Sequence, residues 1–458
     1  MKAVIEIRIE VEGVTHVQEI ACVERDGHRL AEIGLTLAES KSLLAAVQKI
    51  VVEHQTGEYL ECQRKCRHCG RAHAPKGNHK LNLQTVFGNI SVDSPRWSYC
   101  PCQPRETKSF SPLSELLTEH VTPERLYLEA KWSSLISFEL ATELLKDTLP
   151  VAETINASSV RNHLHRVAQR VESALGDEQV SFVDGCPRDW AELPRPAAAL
   201  TVGIDGCYVR EWEDKKKNFE IIVGKSMSEE APDRRFGFVQ TYDEKPKRRL
   251  FELLKEQGMQ MNQQVKFFSD GGADIRDVQL YLNPEAEHYL DWFQVTMRIT
   301  VMGQYAKGLK TVPEKREEGL KLLESTKHYL WHGNVVKARE KIDEVAAFLD
   351  DEAIRGENLP KFRKALDEFD TYIEANQGLI PNYGEHWRNE ETIATGFVES
   401  VVNQIVSKRF AKLQQMQWTK KGAHLVLQMR TQVLDGRLET TFRNWYPGFR
   451  PEPQQKAP

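Results

Sequence analysis

The sequence lacks several features that would classify it at once. It has no apolar run long enough for a transmembrane helix. Its opening stretch, MKAVIEIRIEVEG, alternates like a strand and offers no apolar core of a signal peptide. A cytoplasmic protein with no membrane contact is the expectation. Net positive charge is also missing: 62 Lys and Arg face 67 Asp and Glu, a formal balance of −5. That argues against a uniformly basic nucleic-acid coat, though not against a local basic surface. No internal repeat or low-complexity tract stands out. What remains is an ordinary globular composition, 40% hydrophobic and 28% charged, in 458 residues. That length allows about three domains and a sizeable core.

Cysteine is sparse but grouped. Of eight cysteines, Cys66 and Cys69 stand in CRHCG, and Cys100 and Cys102 in YCPCQ. Between them LNLQTVFGNISVDSPRW alternates around a turn assigned to Gly88 and Asn89, so a β-hairpin carries the pairs together. Two thiolate pairs at the ends of a hairpin can close a tetrahedral Cys₄ zinc site. Cys62 is a possible substitute ligand, and Cys22, Cys186 and Cys207 read as core filler. Basic residues crowd the same stretch: Arg64, Lys65, Arg67, Arg71, Lys76 and Lys80.

Periodicity divides the chain. Residues 1–105 read as an N-terminal α+β region of strands, a helix near Leu37 to Glu53, and the cysteine hairpin. Residues 106–177 are helical, and SFELATELLKDTLPVAETINASSVRNHLHRVAQRV reads as helix, break, helix. Ser158 or Ser159 would cap the second helix, which carries Arg161, His163 and Arg166. Such a helix-turn-helix can place those side chains in a major groove, whereas a plain helical hairpin would merely solvate them. Proline-rich residues 178–199 read as a linker. Residues 200–446 then offer four strands, with a helix between the third and fourth. That order suggests an RNase H-like mixed sheet, interrupted by an all-helical insertion at about 310–385. Residues 447–458 read as a flexible tail. The fold class expected is multidomain, α+β with α/β.

The carboxylates carry the chemistry. TVGIDG seats Asp205 at a strand end before a glycine, and FFSDGG repeats the arrangement at Asp270. One Asp-Gly after a strand is most often a turn. Two, on neighbouring strands, bring hard oxygen donors to one edge and suit Mg²⁺ or Mn²⁺. A third acid would complete a site for in-line displacement at phosphorus. Glu399 is the best candidate, at the edge of the stripe Val398, Val401, Val402, Ile405, with Glu390 and Glu391 as rivals. Lys408, Arg409 and Lys412 follow on the same predicted helix as DNA contacts.

GIDG, FFSDGG, HYLDWFQVTMRI and ESVVNQIVSKRFAKLQQMQWTKKGAHLVLQMR together resemble bacterial insertion-sequence transposases of the ISKra type, DDE enzymes distantly similar to the Mutator superfamily. The resemblance runs from the cysteines to about Tyr446. It implies Asp205, Asp270 and Glu399 as the metal-binding triad, with the helical insertion between the second Asp and the Glu. It implies DNA as partner, both element ends and target, a homo-oligomer on DNA, and a place in the bacterial cytoplasm with the nucleoid. One departure stands out: Asp291 is present in DWFQ, but Gln294 occupies a place where His is usual. Gln can hydrogen-bond there but cannot protonate. Two other readings use the same residues: an RNase H-like nuclease without strand transfer, and a non-catalytic DNA-binding regulator.

Overall fold

The computed structural model describes residues 1–450, apart from 12, 26–29, 31–32, 103–107, 179–185, 195, 197–198, 215, 273–281, 283–285 and 412–417. The chain forms two compact units, Met1–Val167 with Gly436–Pro458, and Ala168–Asp435. No described helix is long and apolar enough to cross a membrane.

In the first unit, β1 (Lys2–Val11) and β2 (Val14–Glu24) form an isolated antiparallel pair. The helix Leu37–Gln63 follows, started by a capping box in which Thr36 and Glu39 bond each other's backbone. It is a turn or more longer than the pattern suggested. The hairpin of β3 (Pro75–Thr85) and β4 (Gly88–Ser98) pairs with β5 (Ser109–Phe110). Its turn is centred on Val86 and Phe87, with Thr85 opposite Gly88, rather than on Gly88 and Asn89. Gly88 has φ +119, and Thr85 Oγ1 donates to its carbonyl. Leu81, Leu83, Ile90 and Val92 bury one hairpin face against Val52 and Leu113.

The helices Phe138–Thr148 and Ala157–Ala174 are joined by residues 149–156, longer than the three or four residues of a compact helix-turn-helix. The second helix is capped by Asn156, not by a serine: Ser159 N–H donates to Asn156 Oδ1, and Asn156 N–H to Ser159 Oγ. The C-terminal helix Leu438–Trp445 belongs to this unit, not to a domain running to 446. Phe442 and Phe449 pack on Tyr127 with ring centroids 5.5 and 5.3 Å apart, and Arg450 grips Glu124 through two bonds of 2.9 Å. Residues 447–450 are therefore anchored rather than part of a loose tail.

The second unit is built on a five-stranded sheet of β6 (Leu200–Arg210), β7 (Asn218–Met227), β8 (Arg234–Val239), β9 (Val265–Ser269) and β10 (Glu287–Leu290), in the order β10-β9-β6-β7-β8. β6, β7 and β8 are antiparallel neighbours, while β9 and β10 run parallel to β6. The short run VKFFS is almost wholly buried, as expected of a strand covered on both faces. The stretch read as a linker holds a helix, Pro187–Glu192, with Trp190 buried. The helical insertion is larger than its sequence suggested. Helix Trp292–Lys307 contributes Val295, Ile299 and Met302 to the core that the helices Pro313–Trp331, Val335–Leu349 and Leu359–Ala375 build. Trp292 and Trp331 pack there around Tyr383.

Candidate active site

Strand register positions the acids. β6 and β9 pair in parallel from Leu200↔Val265 to Gly203↔Phe268; two residues further, Asp205 comes level with Asp270. β10 and β9 pair from Glu287↔Lys266 to Leu290↔Ser269; one residue further, Asp291 also comes level with Asp270. Three adjacent parallel strands thus deliver three aspartates to one edge, the carboxyl edge where open sheets with parallel strands place ligands.

Each reaches that edge differently. Asp205 does not end a strand: β6 continues to Arg210, and Asp205 pairs with Val223. The glycines flanking it serve close approach rather than a turn. A Cβ on Gly203 would lie 2.2 Å from Val398 Cγ2, and one on Gly206 2.5 Å from Glu220 Oε1. Asp270 does follow a strand end. Its Oδ1 accepts the Gly272 N–H at 3.1 Å, so it makes its own turn as well as presenting a carboxylate. Gly271 is required there: its φ is +90, and a Cβ would sit 2.2 Å from Asn376 Oδ1. Buried Ser269 fixes the base of the turn, bonded to His288 Nε2 at 2.7 Å and accepting Gly271 N–H at 3.1 Å.

Glu399 lies on the helix Gly396–Val402, which sits directly on β6 because Gly203 has no side chain. Val398, Val401 and Ile405 are buried, as the stripe predicted, and the Glu399 carboxylate is exposed. Asp291 couples this helix to the sheet. It is 1% exposed and caps the helix Trp292–Lys307 by accepting Phe293 N–H at 2.9 Å. It also accepts Thr395 N–H at 3.0 Å and the Thr395 hydroxyl. Asp291 is therefore both helix cap and positioning residue for Glu399. Asp291→Ala should lower stability by about 3 kcal/mol, combining a lost cap of ~1 kcal/mol with buried donors left unpaired at ~1–3 kcal/mol. Urea unfolding checks this; an unchanged midpoint would contradict the assigned role.

Electrostatics record the convergence. Burial pushes the Asp205 carboxyl above its ordinary range, and the charges of Asp270, Asp291 and Glu399 push it further. Burial likewise raises Asp291, against its hydrogen bonds from Thr395 and Phe293. The carboxylates influence one another without closing into a ligand shell: no trio of them has oxygens within 4.8 Å of one another. The rival Glu391 is committed elsewhere, bonded to Lys266 at 2.5 Å and His386 at 2.8 Å, which holds it below its usual range. Glu390 has φ +59 at the end of that turn. Gln294 is half-buried one turn beyond Asp291. Arg298, exposed on the same helix, lies over the Tyr372 ring at 4.2 Å, and Tyr372 feels the charges of Asp270 and Asp291.

No family model matches the chain, and no curated protein matches it.

The second centre is the cysteine cluster. Cys66, Cys69, Cys100 and Cys102 have sulfurs all within 4.8 Å, with Cys66–Cys102 at 3.6 Å and Cys69–Cys100 at 3.3 Å, and could hold a metal ion such as zinc. The first pair sits on a tight turn: Gly70, at φ +72, donates to Cys66 O, and Cys66 donates to Arg71 O. Backbone N–H groups of Cys69 and His68 aim at the Cys66 sulfur and bring its pKa down to about 6, while the neighbouring Cys100 sulfur pushes Cys102 up. A site of mixed thiol and thiolate is what a cation completes. Cys62 is outside the group.

Glu172, Asp243 and His424 also have ligand atoms within 4.8 Å of one another. Here the cation is already present. Buried Arg249 donates to Asp243 at 2.9 Å and to Glu172 at 2.8 Å, with His424 Nε2 at 3.3 Å. Burial opposes ionisation of Glu172, but bonds from His424 and Arg249 hold it at about 2. This trio is an ion-pair network rather than a cation site.

The expected DNA contacts divide. Arg161, Arg166 and Lys408 are exposed, and Lys412 lies outside the described residues. His163 is turned inward onto Glu129, which also holds Arg125. Arg409 is 0% exposed, stacked over Trp418 at 4.9 Å, and burial brings its pKa down to about 9. It stands four residues beyond Ile405, on the buried stripe itself, and the helix there widens into a π-helix over Asn403–Ala411. Neither His163 nor Arg409 is positioned to touch DNA. Sequence reasoning missed Thr395, which bonds Asp291, His288, which bonds Ser269 at the base of the Asp270 turn, and Asn376, which packs against Gly271.

Proposed function

We propose that the protein is a DNA transposase whose carboxylate edge performs metal-dependent phosphodiester chemistry. One observation carries the reading: Asp205, Asp270 and Asp291 are level on three adjacent parallel strands, with Glu399 on a helix seated against the first of them. The strand order supports an RNase H-like sheet, since three antiparallel neighbours are followed by two strands parallel to the first. The donor set fits a hard cation: the charges of Asp270, Asp291 and Glu399 add to the upward shift that burial gives Asp205, and the hydrogen bonds to Asp205 and Asp291 among the described residues come from Gly206, Phe293 and Thr395 rather than from a basic side chain.

Asp205, Asp270 and Glu399 would hold Mg²⁺ or Mn²⁺. When bound, such an ion supplies an activated water and charge stabilisation at the attacking and leaving oxygens. The chain's own contribution is placement. Gly203 lets the Glu399 helix reach β6, Asp291 ties that helix through Thr395, and Gly271 with Asn376 shapes the Asp270 turn. Arg64, Lys65, Arg67, Arg71, Lys76 and Lys80 are all exposed around the cysteine cluster and offer a backbone-binding surface, with zinc as its structural ion. A homo-oligomer on DNA would hold two element ends together.

The test is product analysis. Full-length protein is incubated with Mg²⁺, a plasmid carrying the DNA that flanks the gene, and a labelled target. Joined products are expected. Cut but unjoined ends would instead favour a nuclease, and binding with no cutting a regulator in which Gln294 marks lost chemistry.

A further inference from the structure

The first strand presents an open edge built for a copy of itself. Among the described residues β1 pairs with β2 alone, so its outer row of backbone donors and acceptors meets no other strand. A two-stranded sheet needs further strands or a packed helix for stability; β2 rests on the helix Leu37–Gln63, where the His16 and His54 ring centroids lie 5.8 Å apart, and the outer edge of β1 stays open. Long free edges are usually blunted by proline, a bulge in the edge strand, or charged side chains. The segment Lys2–Glu10, KAVIEIRIE, has no proline, and the register shift falls where Ile5 and Glu6 face Ala21 and Glu19, leaving β2 with the extra residue; its charges are of both signs, so they repel only some partners.

The charges go further than tolerating a partner. Glu6, Arg8 and Glu10 share one face and are all exposed. Within the hairpin Glu6 stands opposite Glu19, a like-charge pair, and Arg8 opposite Val17, with no acid across from it. A second copy of β1, antiparallel and centred on Ile7, sets Arg8 of each chain opposite Glu6 of the other. It also sets Ile5 opposite Ile9. Sliding the pair by one residue at each strand sets Arg8 against Arg8, or Glu6 against Glu6. Centring on Ile9 instead would pair Arg8 with Glu10, but it shortens the ladder from residues 3–11 to residues 7–11, so alternation and strand length together favour the Ile7 register.

We propose that two copies of this chain associate by antiparallel pairing of β1 with β1, forming a continuous four-stranded sheet with reciprocal Arg8–Glu6 pairs. This surface is independent of the carboxylate site and requires no DNA.

Sedimentation velocity on the full chain without DNA tests it. Wild type should sediment as a dimer. Arg8→Glu and Glu6→Arg should each sediment at half that mass, because each places like charges opposite at two symmetric points. An equimolar mixture of the two variants should recover the dimer mass, since every unlike pair is restored between unlike chains. Arg8→Lys should keep the dimer and controls for folding, as does an unchanged circular dichroism spectrum of each variant. A monomeric wild type overturns the proposal, as does a dimer that survives Arg8→Glu. Failure of the mixture to dimerise, with both variants folded, overturns it as well.

Discussion

Asp205→Asn should abolish metal-dependent DNA cleavage while making the metal-free protein more stable. The two effects have one cause. Asp205 is held above its ordinary pKa by burial and by Asp270, Asp291 and Glu399. A carboxyl raised in the folded state binds its proton more tightly folded than unfolded. Stability therefore falls as pH rises from the ordinary carboxylate range through the raised one. Asparagine removes that pH-dependent loss, so above the ordinary carboxylate range the metal-free variant should melt at a higher temperature than wild type. In wild type, Mn²⁺ should raise the melting temperature at pH 7 and do little at pH 4, where protons compete for the same oxygens. In Asp205→Asn it should do little at either pH. Cleavage should fall at least ~10³-fold, about 4 kcal/mol of transition-state stabilisation. A variant that loses stability, or keeps its Mn²⁺ response, would show that the acids serve the fold and not a metal.

Removing zinc should unfold the cysteine end of the first unit and spare the far end of the same hairpin. The four sulfurs join a turn before β3 to the chain leaving β4; within the turn Cys66 N–H bonds Arg71 O, Gly70 N–H bonds Cys66 O and His73 N–H bonds Arg64 O, while Ser98 N–H to Ala74 O and the His73 ring at Ser98 O tie it to β4 only beyond the cysteines. Structural zinc contributes apparent free energies of about 10 kcal/mol to such folds. The opposite end has its own support in Leu81, Leu83, Ile90 and Val92 against Val52 and Leu113. After chelation, hydrogen exchange should accelerate by orders of magnitude at Cys66, Gly70 and His73, and little at Leu83 and Ile90. DNA binding should weaken with it, because the six exposed cations lose their frame. Cys69→Ser should act like the chelator. Purified protein without zinc, or protection unchanged by chelation, would contradict this.

What was legible in the sequence was whatever depends on neighbours along the chain. The apolar run VKFFS, the acid after it and the glycines after that predict a strand, a carboxylate and a sharp turn, and all three are present at Asp270. The stripe Val398, Val401, Ile405 predicts a buried face, and those residues are buried. The cysteine spacing predicts a cluster, and the sulfurs meet. What failed depends on contacts between distant segments. Gly206 reads as a turn residue after Asp205, yet it and Gly203 make room for Glu220 and Val398 in the middle of a strand. His163 and Arg409 read as solvent cations because charge says nothing of which way a helix faces; one meets Glu129 and the other Trp418. Thr395, more than a hundred residues from the aspartate it bonds, and Asn376, as far from the Gly271 it packs against, carry no local signal at all. The C-terminal helix returns to the first unit through Phe442 and Phe449, a contact that periodicity cannot reveal.

Whether the carboxylate edge cuts DNA is decided by nicking of a supercoiled plasmid bearing the flanking DNA, with Mg²⁺ and with EDTA, using wild type beside Asp270→Asn. Nicks at the element ends are expected with wild type and Mg²⁺ only, and end binding without nicks in Asp270→Asn. Equal nicking by both proteins, or nicking that persists in EDTA, would contradict it.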